Sequence, residues 1–150
     1  MNPDRALVVA FLDGARAPLA ISSNPLASAL QGTLLELDGT RGEARLAFEP
    51  SPQFQQGSGV IQGGISATLL DFAMAFAGHA KLVAEGMERG LATASLSVQL
   101  LRPANAARLI ARGRILRHGA RLMFAESSLT TEADARLIAT ASAVLALTDP

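Results

Sequence analysis

Gly63 to Val83 reads GGISATLLDFAMAFAGHAKLV. Alanine, leucine, methionine and phenylalanine cover nearly every face of it at the helical period, which predicts a helix buried all round, not a surface helix. Upstream, Gly32–Leu37 (GTLLEL), the turn signal Asp38-Gly39 and Glu43–Phe48 predict a β-hairpin. In its second arm Ala44, Leu46 and Phe48 point one way and Glu43, Arg45 and Glu49 the other, and Pro50 and Pro52 end it. Downstream of Gly86 and Gly90 come four strand-like runs, Leu91–Leu101, Arg108–Arg117, Leu122–Thr131 and Arg136–Leu147. Turn-prone sites at Pro103-Ala104-Asn105, His118-Gly119 and Ala133-Asp134 separate them, a spacing that predicts an antiparallel meander. Hairpin, buried helix and four strands have one compact solution, an α+β domain whose curved antiparallel sheet wraps around one central helix.

The chain is 150 residues long, enough for one domain and short for two. Residues 1–30 read as an N-terminal helix and loop extension of that domain, 1–150. Asn2 is a natural N-cap, Pro3 the first helical position and Gly14 the stop. The apolar run Ala6–Leu12 (ALVVAFL) is too short to span a bilayer and no basic segment precedes it, so a cytoplasmic location is expected.

Lys plus Arg and Asp plus Glu are 13 each, so the formal net charge is zero. That balance lacks the basic footprint of a nucleic-acid binder or a polybasic membrane-surface protein. The absence of cysteine excludes a disulfide scaffold, a thiolate-held metal and a thiol nucleophile, and two histidines are few for a His-rich metal site. Without Trp or Tyr, base-stacking platforms are not expected either.

Asp71 stands out, a carboxylate in an otherwise apolar helix, where an unpaired buried charge costs several kcal/mol. It needs either a structural partner or a chemical task, and residue type alone leaves both open. Gly63 and Gly64 open the helix, where backbone N–H groups lack intrahelical partners and sit at the positive end of the helix dipole. They can hold an oxyanion or merely turn the chain tightly. Gly63, Gly64, Ala67 and Asp71 share one face, with Asp71 ~10–12 Å along the axis from the Gly63 N–H. One carbonyl cannot reach both. Two such helices packed antiparallel about a two-fold axis would bring each Gly63 opposite the partner's Asp71.

Gly59-Val60-Ile61-Gln62-Gly63-Gly64, with Asp71 nine residues after Gln62, resembles the hotdog-fold acyl-CoA thioesterases of the phenylacetate-pathway (PaaI-like) type. Thr93–Ala104 (TASLSVQLLRPA) and Arg117-His118-Gly119-Ala120-Arg121 are similar to later strands of that family, and the likeness covers roughly residues 30 to 147. It implies hydrolysis of an aryl- or medium-chain acyl-CoA to free acid and CoA, with no metal and no cofactor beyond the CoA of the substrate. It further implies a homodimer with shared active sites, assembled as a dimer of dimers (a homotetramer). Asp71 would be nucleophile or general base. Gly63 would polarise the thioester carbonyl, and Thr93 would orient the water or the carboxylate. Gln62 would stand in the catalytic set, Gln56 and Gly64 beside the substrate, and His118, Gly119 and Arg121 near the nucleotide end of CoA. The chain departs from the family in having Gln62 where His is commonest and Gln56 in place of Asn.

The remaining signals read as scaffold. Most of Arg102, Arg108, Arg112, Arg114, Arg117 and Arg121 form a solvated strand face paired with acids such as Glu126 and Glu132, with one or two near the hairpin free for phosphate. On the strand from Thr93, alternation puts Thr93, Ser95, Ser97 and Gln99 on one face and Ala94, Leu96, Val98 and Leu100 on the other, packed on the helix. His79 reads as a structural core histidine and His118 as a solvated turn residue. Two other functions stay open: a hotdog module that binds acyl-CoA without turnover, which Gln62 keeps in play, and a hydratase, which would need a His–Asp pair.

Overall fold

A computed structural model describes residues 2–105 and 107–150. Helix α1 (Pro3–Leu12) begins as its sequence predicts, the Asn2 side chain accepting from the N–H groups of Asp4 and Arg5. Asp4 in turn accepts from Ser23 Oγ (2.6 Å) and Asn24 Nδ2 (3.1 Å), so the extension is tied to the loop that follows it. A two-residue strand β1 (Leu19–Ala20) and a short helix α2 (Pro25–Ala29), capped by Asn24, lead into the hairpin of β2 (Thr33–Asp38) and β3 (Glu43–Phe48). Helix α3 (Gly63–Ala84) then precedes β4 (Gly90–Leu100), β5 (Leu109–His118), β6 (Leu122–Thr131) and β7 (Leu137–Thr148).

All seven strands form one antiparallel sheet in the order β1-β2-β3-β5-β6-β7-β4, with α3 against its inner face. Leu69, Leu70, Met74, Phe76 and Leu82 of α3 are fully buried there, each contributing ~1.5–3 kcal/mol over exposure. Helix and sheet meet most closely at Gly113 of β5, where a Cβ would lie 2.2 Å from the Ala73 carbonyl oxygen. Only glycine fits. By length and composition α3 could cross a membrane, but more than half of its most apolar window is buried inside the domain.

The four-strand meander is corrected by this topology. β5, β6 and β7 do form one, but β4 lies beyond β7 at the open edge, and β5 pairs with β3. The reason is non-local: the inner edge of the hairpin needs a partner, and α3 carries the chain across the sheet to deliver β4 on the far side. The edge is long, 11 residues, and most of its side chains are exposed, including Leu96 (39%) and Leu100 (57%).

The alternation expected along β4 is also corrected. A bulge at Ala94 skips one residue between the pairs Thr93–Leu145 and Ser95–Val144. Past it, Leu96, Val98 and Leu100 pair with the inward-facing Ala143, Ala141 and Ala139, as predicted. Before it, Thr93 pairs with buried Leu145 and faces the helix, not the outside with Ser95, Ser97 and Gln99.

The outer face carries two unbroken polar rungs across six strands. One runs Glu36–Arg45–Arg112–Ser128–Thr140–Gln99, the other Asp38–Glu43–Arg114–Glu126–Ser142–Ser97. They line a trough of about 920 Å³. The pairing expected for most of the six arginines is corrected: among the described residues only Arg108, with Glu132 and Glu49, and Arg114, with Glu126, pair with acids, while Arg102 donates to the Leu137 carbonyl and Arg112 to Thr130 Oγ1.

Candidate active site

Asp71 lies in the third turn of α3 on the side next to β4, half-buried instead of sunk in the core. Its Oδ1 accepts a hydrogen bond of 2.8 Å from Thr93 Oγ1. Among the described residues no arginine or lysine pairs with it, which removes the ion-pair explanation for a carboxylate at this place. The Ala94 bulge makes the contact, because a regular strand would turn Thr93 outward. Oδ2 has no protein donor among the described residues.

At the start of α3, Gln62 is the N-cap but makes no side-chain capping bond. Its backbone N–H is fixed to the Phe54 carbonyl (3.0 Å), and its carbonyl takes the N–H groups of Ile65 and Ser66. The N–H groups of Gly63 and Gly64 have no backbone partner among the described residues. They are free donors at the positive end of a 22-residue helix. Leu100 Cδ1 lies 2.7 Å from where a Gly63 Cβ would be, so the end of β4 rests against the helix start. That leucine was not singled out from the sequence; an exposed apolar residue ending an edge strand was the available signal.

Asp71 and Thr93 are therefore brought together, and Gly64, Gly63 and Gln62 stand seven, eight and nine residues away at the start of the same helix, ~10–14 Å along its axis. Gln56 sits in the tight turn Gln56–Gly59, where its Oε1 accepts from the Ser58 N–H (3.1 Å). The turn is anchored by pairing of Val60 with Asn105 and of Gln55 with Ile61.

His118, Gly119 and Arg121 lie at the far end. The Gly119 N–H closes the β5–β6 turn on the Leu122 carbonyl, and Arg121 is exposed. His118 is not solvated as expected: its side chain is 13% exposed and Nδ1 lies 2.7 Å from Glu85 Oε2, just past the end of α3. Lys81 also pairs with Glu85 (3.3 Å) and donates to the Thr40 carbonyl. His79 is buried under α1, its Nδ1 without a partner among the described residues. Burial lowers its pKa to about 4, against a smaller upward pull from Asp4, with Arg5 adding to the fall.

Residues 58–138 match the family described as the Thioesterase superfamily. A candidate esterase of Halobacterium salinarum is 37% identical over 100 residues, 65% of this chain and 65% of its own length. Among solved structures, a candidate thioesterase related to phenylacetic acid degradation, from Ralstonia eutropha, is 26% identical with a TM-score of 0.74. That similarity covers 93% of this chain and 98% of the other. The PaaI protein of the Escherichia coli phenylacetic acid degradation operon shares the fold at a TM-score of 0.75 and 17% identity, over 98% of this chain and 96% of its own. The sheet wrapped on one helix is thus the hotdog fold.

Proposed function

Because this chain belongs to the thioesterase superfamily, we propose that it hydrolyses an acyl-CoA thioester bearing an aryl or medium-chain acyl group, releasing free acid and CoA. The observation that carries this reading is the Asp71–Thr93 pair, one carboxylate held by one hydroxyl and otherwise without a protein donor among the described residues. Thr93 holds Oδ1, and Oδ2 draws the proton from water or attacks the carbonyl carbon itself. The Gly63 N–H polarises the carbonyl, with the Gly64 N–H and the Gln62 amide beside it. Gln56 flanks the acyl side, and the hairpin of His118, Gly119 and Arg121 faces the nucleotide. The reaction so written needs no metal or further cofactor, and it fits a cytoplasmic enzyme.

One chain cannot complete the site, since its own Gly63 is ~12 Å too far along the helix. A second copy across the β4 edge would supply it, with a two-fold axis constrained by the contacts within one chain. Gly63 touches Leu100 and Asp71 touches Thr93, so opposing Gly63 to the partner's Asp71 also opposes Leu100 to the partner's Thr93. The midpoint on α3 is Ala67. On β4, with Ala94 skipped, Thr93 and Leu100 are six ladder steps apart, and the midpoint is Ser97. An even step count keeps both residues on the helix side, as cross-strand neighbours must be. Exposed Leu116, Leu122 and Phe124 mark where a second dimer would bury apolar surface in a dimer of dimers.

Thiol release from a panel of aryl- and fatty acyl-CoAs tests the reaction, with Asp71→Asn beside wild type. Turnover lowered ~100-fold or more by the substitution supports the reading. Acyl-CoA binding with no turnover in either protein replaces it with a non-catalytic binding module, the reading favoured by Gln62, whose amide transfers no proton at neutral pH. Ser97→Cys under mild oxidation should cross-link two chains, whereas Gln99→Cys should not.

A further inference from the structure

The trough of about 920 Å³ lies on the outer face of the sheet, with the sheet itself between it and α3. We propose that it is a second binding site, for a phosphorylated sugar or polyol, and that Arg112 holds the phosphate. The proposal is independent of the thioesterase reading, since it concerns the opposite face of the sheet and a different ligand.

Charge singles out Arg112. Four arginines line the trough (Arg41, Arg45, Arg112 and Arg114), and three of them are matched by an acid. Arg41 pairs with Glu43 (3.6 Å), Arg45 with Glu36, and Arg114 with Glu126. Arg112 has no carboxylate among the described residues, and its side-chain bond to Thr130 Oγ1 is long, at 3.4 Å. The nearest acid is spoken for: a hydrogen bond from Arg45 is the largest of the causes that lower the Glu36 pKa, and the charge of Arg112 the smallest. The fourth acid of the trough, Asp38, lies two strands and two residues from Arg112. That is ~12 Å, beyond the ~8 Å over which charges act at physiological salt. Arg112 also stands directly opposite Arg45 across the β3–β5 pairing. Like charges so placed repel, and an anion above them relieves the repulsion.

What surrounds Arg112 defines the rest of the ligand. Its rung continues through Ser128, Thr140 and Gln99, and the next rung ends in Ser142 and Ser97. These five uncharged side chains lie within three strand spacings of the guanidinium, ~14 Å. Serine, threonine and glutamine both donate and accept, as sugar hydroxyls do. The guanidinium offers a planar fork to two phosphate oxygens, and Ser128, one strand away, offers a further donor for the third. A carboxylate has no third oxygen to use it. No aromatic side chain lines the trough among the described residues, so a base has nothing to stack on, which favours a hydroxylated body over a nucleotide. The acids that border Arg112 repel a longer polyanion. The volume falls within the range of small-molecule sites, ~300–1,000 Å³.

Calorimetric titration of the intact protein with glucose 6-phosphate, inorganic phosphate, glucose and acetate tests the site. Arg112→Gln and Arg117→Gln stand beside wild type; Arg117 is an exposed β5 arginine outside the trough, so both variants lose the same charge. Glucose 6-phosphate should bind with a Kd below ~10 mM. Arg112→Gln should weaken it at least ~tenfold, and Arg117→Gln should leave it unchanged. Inorganic phosphate should bind more weakly, and glucose and acetate more weakly still. Thr140→Val should weaken glucose 6-phosphate by about threefold and leave inorganic phosphate unmoved. Arg112→Gln should keep the wild-type melting temperature, because it removes a charge from beside Arg45. Three results overturn the inference: no binding of glucose 6-phosphate to wild type, as when another copy of the chain covers this face; equal loss in both arginine variants; or inorganic phosphate or acetate bound as tightly as glucose 6-phosphate. None of these readings depends on thioester turnover.

Discussion

The two ends of α3 are built on opposite terms. At its C-terminal end nearly every polar group is tied: Lys81 to the Thr40 carbonyl, Glu85 to Lys81 and His118, and His79 shut beneath α1. Two hairpin turns close on that end, with Gly39 so near that its Cβ would be 2.7 Å from the Ala80 oxygen. Among the described residues, the cap residue at the N-terminal end makes no side-chain capping bond, two N–H groups have no partner, and the neighbouring strand edge is unpaired. One helix thus has a tied end and an open end. The lesson is that unsatisfied polar groups collected in one place, against a satisfied counterpart on the same element, point to a site more surely than the apolar segment between them.

Protonation offers the largest test of that contrast. His79 is neutral when folded, with a pKa near 4, against 6.5 when exposed. The folded state therefore binds fewer protons, and stability that is complete above pH 6.5 is lost as pH falls toward 4, by about 3 kcal/mol. Burial sets the shift; of the charged neighbours on α1, Asp4 opposes it and Arg5 adds to it. Urea unfolding at pH 7.5 and 4.5 should show this loss in wild type and a smaller one in His79→Leu. Equal losses would remove His79 from the account.

A methyl group placed at each end sharpens the comparison. Gly39→Ala meets backbone, 2.7 Å from the Ala80 oxygen, and should cost ~1–3 kcal/mol in thermal or urea unfolding with little change in kcat. Gly63→Ala meets only the tip of Leu100, so its stability should stay within about 1 kcal/mol while turnover falls. If Gly63→Ala unfolds the protein and Gly39→Ala does not, the assignment of the two ends is reversed. Smaller still, Thr93→Val should lower kcat about tenfold, near 1.4 kcal/mol, by freeing Asp71 from its one donor, without moving the melting temperature. Least affected, Glu85→Gln should cost ~0.5–1 kcal/mol and leave kcat unchanged.

The asymmetry was partly legible in the sequence. The apolar density of α3, the Asn2 cap and the strand runs are local signals, and each element forms within a residue or two of its predicted bounds. Asp71 and the paired glycines were visible because they break a local pattern. The position of β4 was not, since strand order depends on which edge needs a partner many residues away. Nor was the inward turn of Thr93, because Ala94, which forms the bulge, resembles its neighbours in a run of small residues. The clamp at His118 depends on Glu85, a residue of another element with no pattern to flag it.

The open edge of β4 carries a consequence of its own. If each reactive centre is completed across that edge, catalysis obeys mass action in the enzyme itself. Specific activity then depends on how much protein is in the tube, falling on dilution below the dissociation constant of the dimer and recovering on concentration. The chain would be, in effect, an obligatory activator of its own copy, and the level at which a cell makes it would set how active each molecule is as well as how many there are.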